Sequence, residues 1–494
     1  MPSGPPRLPP NADMRLYQSI NLLRSKHPDW VADVTLTPTQ RGWILAVVGL
    51  VVASSILSPT ITVMVLVAGT MLLYAASLIV RLKLFRLGLN GQGLIRVDDD
   101  FAKSYPAKLL PTFSVLVPAF HEPEVFGSLV EHLRQLDYPS DKVEFLLLLE
   151  ADDNETVAAA DAIRDAEGFH IVLVPAAEPR TKPKALNYGL MQATGDIVTI
   201  YDAEDRPDSL QLRKAAIALA HAPDDVACVQ ARLGFFNPEQ NLLTRWFTLD
   251  YRMWFGELLP GLVQLHAPIP LGGTSNHFRR SALLDVGAWD AFNVTEDAEL
   301  GLRFYRLGYR TGVIDSVTLE EANSDFVNWV KQRSRWYKGY AQTLLVHLRN
   351  PGALRNDVGL RGFLWTSLLV GGTPLLATLN PFFWVSVVVW FVFHPHFFRE
   401  VLPTASYFLG MVSWIAGNGM VFYMWLLNGR RSEGRLTVAA ALAPVYWVMM
   451  AMAAVKAAAQ LITAPSYWEK TQHGLDTPAT AVQPIPAMQS SPAT

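Results

Sequence analysis

Ile197-Val198-Thr199-Ile200-Tyr201-Asp202-Ala203-Glu204-Asp205 decides how the chain is read. A nearly uninterrupted apolar run ends in three carboxylates within four residues. A run this short, closed by polar residues, reads as a strand buried on both faces, the pattern of a parallel sheet. Ligands of such sheets bind outside the carboxyl ends of the strands, where these acids stand. Like charges crowded at the exit of a buried strand are costly unless a cation offsets them. Oxygen-only ligands such as Asp202 and Glu204 select a hard ion, Mg²⁺ or Mn²⁺. Helix capping ahead of Pro207 would also account for the acids.

The same texture runs from Phe101 to about Ala322. Phe113–Val117, Val143–Leu149 and His170–Val174 are further short apolar runs, with helical stretches such as Val125–Leu136 and Asn154–Ala166 between them. This alternation predicts an α/β domain with a mainly parallel sheet, and the residues after each run become site candidates. Pro118-Ala119-Phe120-His121-Glu122 ends the first strand in a turn that can expose backbone groups to a base or ribose. Glu150, Asp152 and Asp153 end the second, where they can accept from a nucleoside or cap the next helix. Lys182 and Lys184 precede a helix start and can approach phosphate. The glycines of Leu271-Gly272-Gly273-Thr274-Ser275-Asn276-His277 permit close backbone approach to an acceptor hydroxyl. Thr295-Glu296-Asp297 opens a helix and, taken alone, is what any stable helix start wants.

Composition places this domain in a membrane protein. Of the 494 residues, 50% are hydrophobic and 17% charged, below the quarter or so usual for soluble domains. A net charge of −3 gives no basic field for nucleic acid, and the single cysteine, Cys228, excludes internal disulfides and cysteine-cluster zinc sites. Met1–Pro10 is proline-rich without the apolar core of a cleavable signal peptide. Trp43–Leu57 and Ile61–Val80, split at Pro59, predict a transmembrane hairpin, and Arg81, Lys83 and Arg86 place its end in the cytosol. Phe363–Leu379, Pro381–Phe393, Ser406–Leu427 and Val438–Ile462 are the later candidate spans. Four crossings there return the tail to the cytosol but put Arg430, Arg431 and Arg435 outside, against the positive-inside rule.

Between domain and later spans lies Asn328–Tyr340, NWVKQRSRWYKGY. On a helix Gln332, Arg335 and Trp336 share one face, offering an amide, a bidentate phosphate binder and a stacking surface. A helix at the lipid headgroups would use the same residue types.

In order, Val117-Pro118…Glu122, Glu150…Asp152, Lys184-Ala185-Leu186-Asn187, Asp202-Ala203-Glu204, Thr295-Glu296-Asp297 and Gln332-Arg333-Ser334-Arg335-Trp336 form a series. With its flanking apolar helices, the series resembles the processive membrane-embedded family-2 glycosyltransferases, the cellulose, chitin and hyaluronan synthases and their bacterial relatives. The resemblance implies a GT-A domain on the cytosolic face of the inner or plasma membrane and inverting transfer from a nucleotide sugar, a UDP-sugar first, to a β-linked polysaccharide. It implies Asp297 as general base, Asp202 and Glu204 holding nucleotide and metal, and Glu150 or Asp152 contacting the nucleotide. Glu204 stands where the family has a second Asp. Donor contacts would also come from Pro118, Ala119, Glu122, Lys184, Gln332 and Arg335, and acceptor contacts from Gly273, Thr274, Glu296 and Trp336. Trp468-Glu469-Lys470-Thr471-Gln472-His473-Gly474 resembles the synthases' gating loop, with Thr471 and His473 placed to reach the donor.

The organisation expected is an N-terminal stretch over 1–40, a hairpin over 41–86, the GT-A domain over 101–325, an interfacial helix over 326–350, transmembrane helices over 360–463 and a tail over 464–494. Accessory export or regulatory subunits would be partners. A non-processive enzyme loading one sugar onto a lipid carrier shares the same domain, and a transporter with an inactive domain would not need the acids and Arg335.

Overall fold

The computed structural model describes residues 13–89, 91–123, 126–161, 168–393, 404–429, 435–465, 467 and 469. Thr471, His473 and most of the expected gating loop lie outside the described residues. Among the described residues, nine strands form one mixed sheet: β1 (Leu94–Ile95), β2 (Phe113–Ala119), β3 (Val143–Glu150), β4 (Phe169–Val174), β5 (Ile197–Ile200), β6 (Arg206–Pro207), β7 (Val226–Phe235), β8 (Asn276–Arg279) and β9 (Arg310–Glu320). Their order is β1-β9-β7-β8-β5-β2-β3-β4, with β6 beside β9.

Two parallel groups make up the sheet, β5-β2-β3-β4 and β7-β9-β1, and β8 joins them by running antiparallel to both β5 and β7. The sheet is mainly parallel, as expected, and its antiparallel strand carries Asn276 and His277. Phe113, Val115, Leu116 and Val117 are buried whichever way they point, so β2 is sandwiched between two apolar layers. One layer gathers Leu116, Leu148 and Ile200, the other Val115, Val117, Leu147 and Leu149, as period-2 alternation requires.

Register positions the site. Ala119 lies beside Leu149 and Leu116 beside Ile200, so the turns after β2, β3 and β5 leave the sheet at one edge. The segments Pro118–Glu122, Glu150–Asp153 and Asp202–Asp205 must therefore converge.

Among the described residues, four helices are long and apolar enough to cross a membrane: Pro38–Leu57, Pro59–Gly88, Pro351–Pro381 and Ala443–Thr463. Trp43, Leu45, Leu50, Ile56 and Leu57 stand exposed along the first, a surface that water would not tolerate and lipid would. Two of the expected spans, Phe363–Leu379 and Pro381–Phe393, run together. A π-helical turn at Ser367–Gly372 links Pro351–Thr366 to Thr373–Phe393, and its wider winding accommodates Pro374 without a break. The expected Val438–Ile462 is instead divided at Leu442 into Arg435–Ala441 and Ala443–Thr463. Arg435–Ala441 packs on Leu242–Met253, a helix that itself lies on β7, and the Trp246 indole N–H donates to the Ala439 carbonyl at 2.8 Å.

Candidate active site

At the converging edge is a cavity of about 160 Å³. Pro118, Ala119, Glu122, Glu150, Asp202, Glu204 and Arg335 all line it, although they come from four separate stretches of sequence. A larger apolar cleft of about 780 Å³ lies at the opposite, amino ends of β7 and β9 and holds none of the expected site residues.

The acids that look alike in sequence do different work. Glu150 faces the cavity and receives the buried Lys184 ammonium at 2.9 Å; burial pushes its carboxyl up while Lys184 holds it down, and burial prevails. Asp152 is turned outward onto Arg180 at 2.6 Å. Asp153 is buried and accepts the His121 N–H at 2.6 Å, fixing the turn after β2, where His121 adopts a left-handed φ of 53°.

After β5, Asp202 takes the Lys182 ammonium at 2.5 Å, and Lys182 also donates to the Gly273 carbonyl at 3.0 Å. Glu204 lines the cavity. Asp205 is turned into the fold, accepting the Asp202 N–H at 2.8 Å and the Thr274 hydroxyl. Burial pushes the Asp205 carboxyl well above its ordinary range, and Asp202 and Glu204 push it further. Glu320, at the end of β9, is raised by burial and then by the same three acids. Such crowding is what a bound cation would relieve. Among the described residues no three His, Cys, Asp or Glu side chains form a ready-made metal cage. Asp202 and Glu204 on an open cavity suit an ion that completes its shell with ligand oxygens.

Asp297 stands at the start of the helix Glu296–Arg306. Thr295 makes no side-chain cap there, so the simple capping motif suggested by sequence is not formed. Asp297 accepts the Ala298 N–H at 2.7 Å, and burial raises its carboxyl. A Cβ on Gly273 would lie 3.4 Å from Asp297 Oδ2 and 3.9 Å from Lys182 Nζ, which places all three groups together. Glu296 is buried beside them and pushed up to about 7 by burial and by Asp297.

Arg335 and Trp336 ride on the helix Phe326–His347. Arg335 reaches the cavity, while its Nη1 donates to the Glu469 carbonyl at 2.9 Å. The Glu469 side chain is held in turn by Lys456 at 2.8 Å and Gln460 at 3.1 Å. Trp336 is half-buried against Phe247 and Tyr251.

Some expected contacts sit elsewhere. Lys184 is fully buried beneath the cavity, and Lys182 is the lysine that lines it; the two lie on successive sides of a helix start, which sequence alone cannot rank. Gln332 is buried and accepts from Asn323 at 2.9 Å. Thr274 points its hydroxyl at Asp205 and the Ile200 carbonyl, inside the fold. Arg180 and Thr181 line the cavity and were missed, with only their place before a helix as signal. Gly339 was missed too: a Cβ there would lie 2.2 Å from Thr295 Oγ1, so only glycine lets the helix Phe326–His347 come this close to the segment carrying Asp297.

The chain is similar in sequence to known glycosyltransferases. Residues 197–402 match the profile described as glycosyl transferase family group 2. The chain is 26% identical over 291 residues to the probable glycosyltransferase YdaM of Bacillus subtilis, covering 57% of this chain and 68% of that one. It is 27% identical over 271 residues to a beta-monoglucosyldiacylglycerol synthase of Synechocystis, covering 53% and 55%. It is 26% identical over 310 residues to a probable glucomannan 4-beta-mannosyltransferase of Arabidopsis thaliana, covering 60% and 66%. Among solved structures, a mannosyltransferase from Pyrobaculum calidifontis in complex with GDP-Man and Mn²⁺ superposes with a TM-score of 0.44 at 19% identity, over 79% of this chain and 99% of that one.

Proposed function

We propose that the chain, similar to glycosyltransferases, is a GT-A enzyme of the membrane that transfers a sugar, with inversion, from a nucleotide sugar to a growing β-linked polysaccharide. The observation that carries this reading is the convergence of Lys182, Arg335, Asp202 and Glu204 on one cavity at the carboxyl ends of the strands, with Asp297 beside Lys182.

The residues divide the reaction between them. The acceptor hydroxyl oxygen attacks the anomeric carbon, the bond from that carbon to the diphosphate oxygen breaks, and negative charge passes to the diphosphate. Arg335 and Lys182 are the cations that face this charge. Asp297 takes the acceptor proton; burial raises its carboxyl, which makes it a better base than an exposed Asp. Asp202 and Glu204 would hold Mg²⁺ or Mn²⁺, which when bound stabilises the leaving diphosphate. Pro118, Ala119 and Glu150 border the part of the cavity where the nucleoside would lie. The flanking apolar helices would anchor the enzyme as a multi-pass protein of the inner or plasma membrane and pass the product.

A second reading is single transfer to a lipid carrier, and one relative is named as a beta-monoglucosyldiacylglycerol synthase. One experiment separates the two. Purified protein in lipid nanodiscs is incubated with radiolabelled UDP- and GDP-sugars and the product is sized. Label in a long polymer supports elongation, label in one lipid-linked sugar supports the second reading, and no transfer from any donor refutes both.

A further inference from the structure

We infer that Arg333, held by Asp250 and Tyr446, is a positioning residue for sugar transfer that sets the acceptor-side indole of Trp336 from the last apolar helix. This deepens the proposed function and rests on it.

Arg333 and Arg335 sit two residues apart on one helix and so point to opposite sides. Arg335 faces the cavity. Arg333 is buried on the other side, where its Nη2 donates to Asp250 Oδ2 at 2.6 Å and to the Tyr446 hydroxyl at 2.8 Å. The Tyr446 hydroxyl also donates to Asp250 at 3.2 Å, closing a triangle. Each corner belongs to a different element: Asp250 to Leu242–Met253, which lies on the sheet, Arg333 to Phe326–His347, and Tyr446 to Ala443–Thr463.

The guanidinium also lies 4.6 Å from the ring centroids of Trp336 and Phe247. A planar cation stacked near an indole restricts the rotation of that ring, which a lysine ammonium cannot do equally well. Tyr251 lies nearly parallel to Trp336, at 27° and 6.3 Å. Arg333 over the ring and Tyr251 near it together restrict the indole orientation. A sugar can meet only what Trp336 leaves uncovered. None of these contacts involves Arg335, Asp202 or Glu204, which line the cavity, so the triangle acts through Trp336.

The test uses the full-length protein in nanodiscs, with Arg333→Lys and Tyr446→Phe as variants. Two rates are measured: sugar transfer with acceptor varied, and release of sugar to water without acceptor. A merely structural role scales both rates with the amount of folded protein and leaves each KM alone. The positioning role predicts that Arg333→Lys raises the acceptor KM by about fivefold or more, with donor KM within about twofold, and raises the ratio of hydrolysis to transfer. Tyr446→Phe, which removes only one hydroxyl, should move the same parameters in the same direction by a smaller factor. If Arg333→Lys does not fold, Tyr446→Phe decides alone. Equal loss of both rates with unchanged KM, or no change in Tyr446→Phe, overturns the inference. A wild-type protein that transfers no sugar would instead overturn the proposed function, before any variant is made.

Discussion

Replacing Gly339 by alanine tests whether the site depends on the approach of two helices. An ideal Cβ at this position lies 2.2 Å from Thr295 Oγ1, 2.4 Å from its Cγ2 and 2.7 Å from its Cβ. Non-bonded carbon atoms prefer about 3.5–4 Å, so relief requires a displacement on the order of 1 Å. Thr295 has little room to give: it is 5% exposed and its N–H donates to Asn293 at 3.0 Å. It also directly precedes Glu296 and Asp297, so any shift moves the proposed base relative to Arg335. Overpacking of this kind costs about 1–3 kcal/mol of stability. A misplacement of ~1 Å between reacting groups can cost about 100-fold in rate. Gly339→Ala should therefore lose roughly 10- to 100-fold in transfer rate while still folding, with a lowered melting temperature. Adding Thr295→Ala removes the two nearest atoms and should recover part of the loss. Gly256→Ala, whose Cβ would meet nothing within 4 Å, is the control. A Gly339→Ala enzyme with wild-type rate and melting temperature would refute the reasoning.

Four further outcomes are expected. Asp297→Asn should reduce transfer by about 100-fold or more while nucleotide binding, measured calorimetrically, stays close to wild type; retention of a tenth of the rate would dismiss Asp297 as base. EDTA should stop turnover and Mg²⁺ or Mn²⁺ restore it, with Glu204→Gln weakening donor binding chiefly when metal is present, whereas full activity in metal-free buffer rejects the cation. Asp290, buried and accepting the Ala32 and Phe292 N–H groups, has its carboxyl pushed up to about 7 from 3.8, mainly by burial. A raised carboxyl gives stability at low pH that is lost as pH climbs toward 7, so the wild-type melting temperature should fall over that range and Asp290→Asn should flatten the fall; equal slopes would count against it. Finally, cysteines at Gln92 and Thr437 in a Cys228→Ser background should both escape a membrane-impermeant thiol reagent on intact cells, and labelling at Thr437 alone would restore the four-crossing count.

Sequence by itself determined the elements and their sides. Apolar runs of strand length that end in acids read as buried strands with their polar exits at a sheet edge, and Pro38–Leu57 and Pro59–Gly88 are long and apolar enough to cross a membrane. It also brought the right stretches to attention, since Pro118, Glu150, Asp202, Glu204 and Arg335 do meet at one cavity. What it left open was the division of labour among chemically identical neighbours. Glu150, Asp152 and Asp153 differ by a rotation of the chain after β3, which sends one carboxylate to the cavity, one onto Arg180 and one into the turn. Lys182 and Lys184 are separated in the same way, and the antiparallel course of β8 turns Thr274 inward onto Asp205. Pairings over long separations were not legible either: Asp250 with Arg333 and Tyr446, Trp246 with Ala439, Gly339 with Thr295. Local periodicity records which face of an element is apolar, but not which distant face it meets, and that choice is made only when the whole core packs.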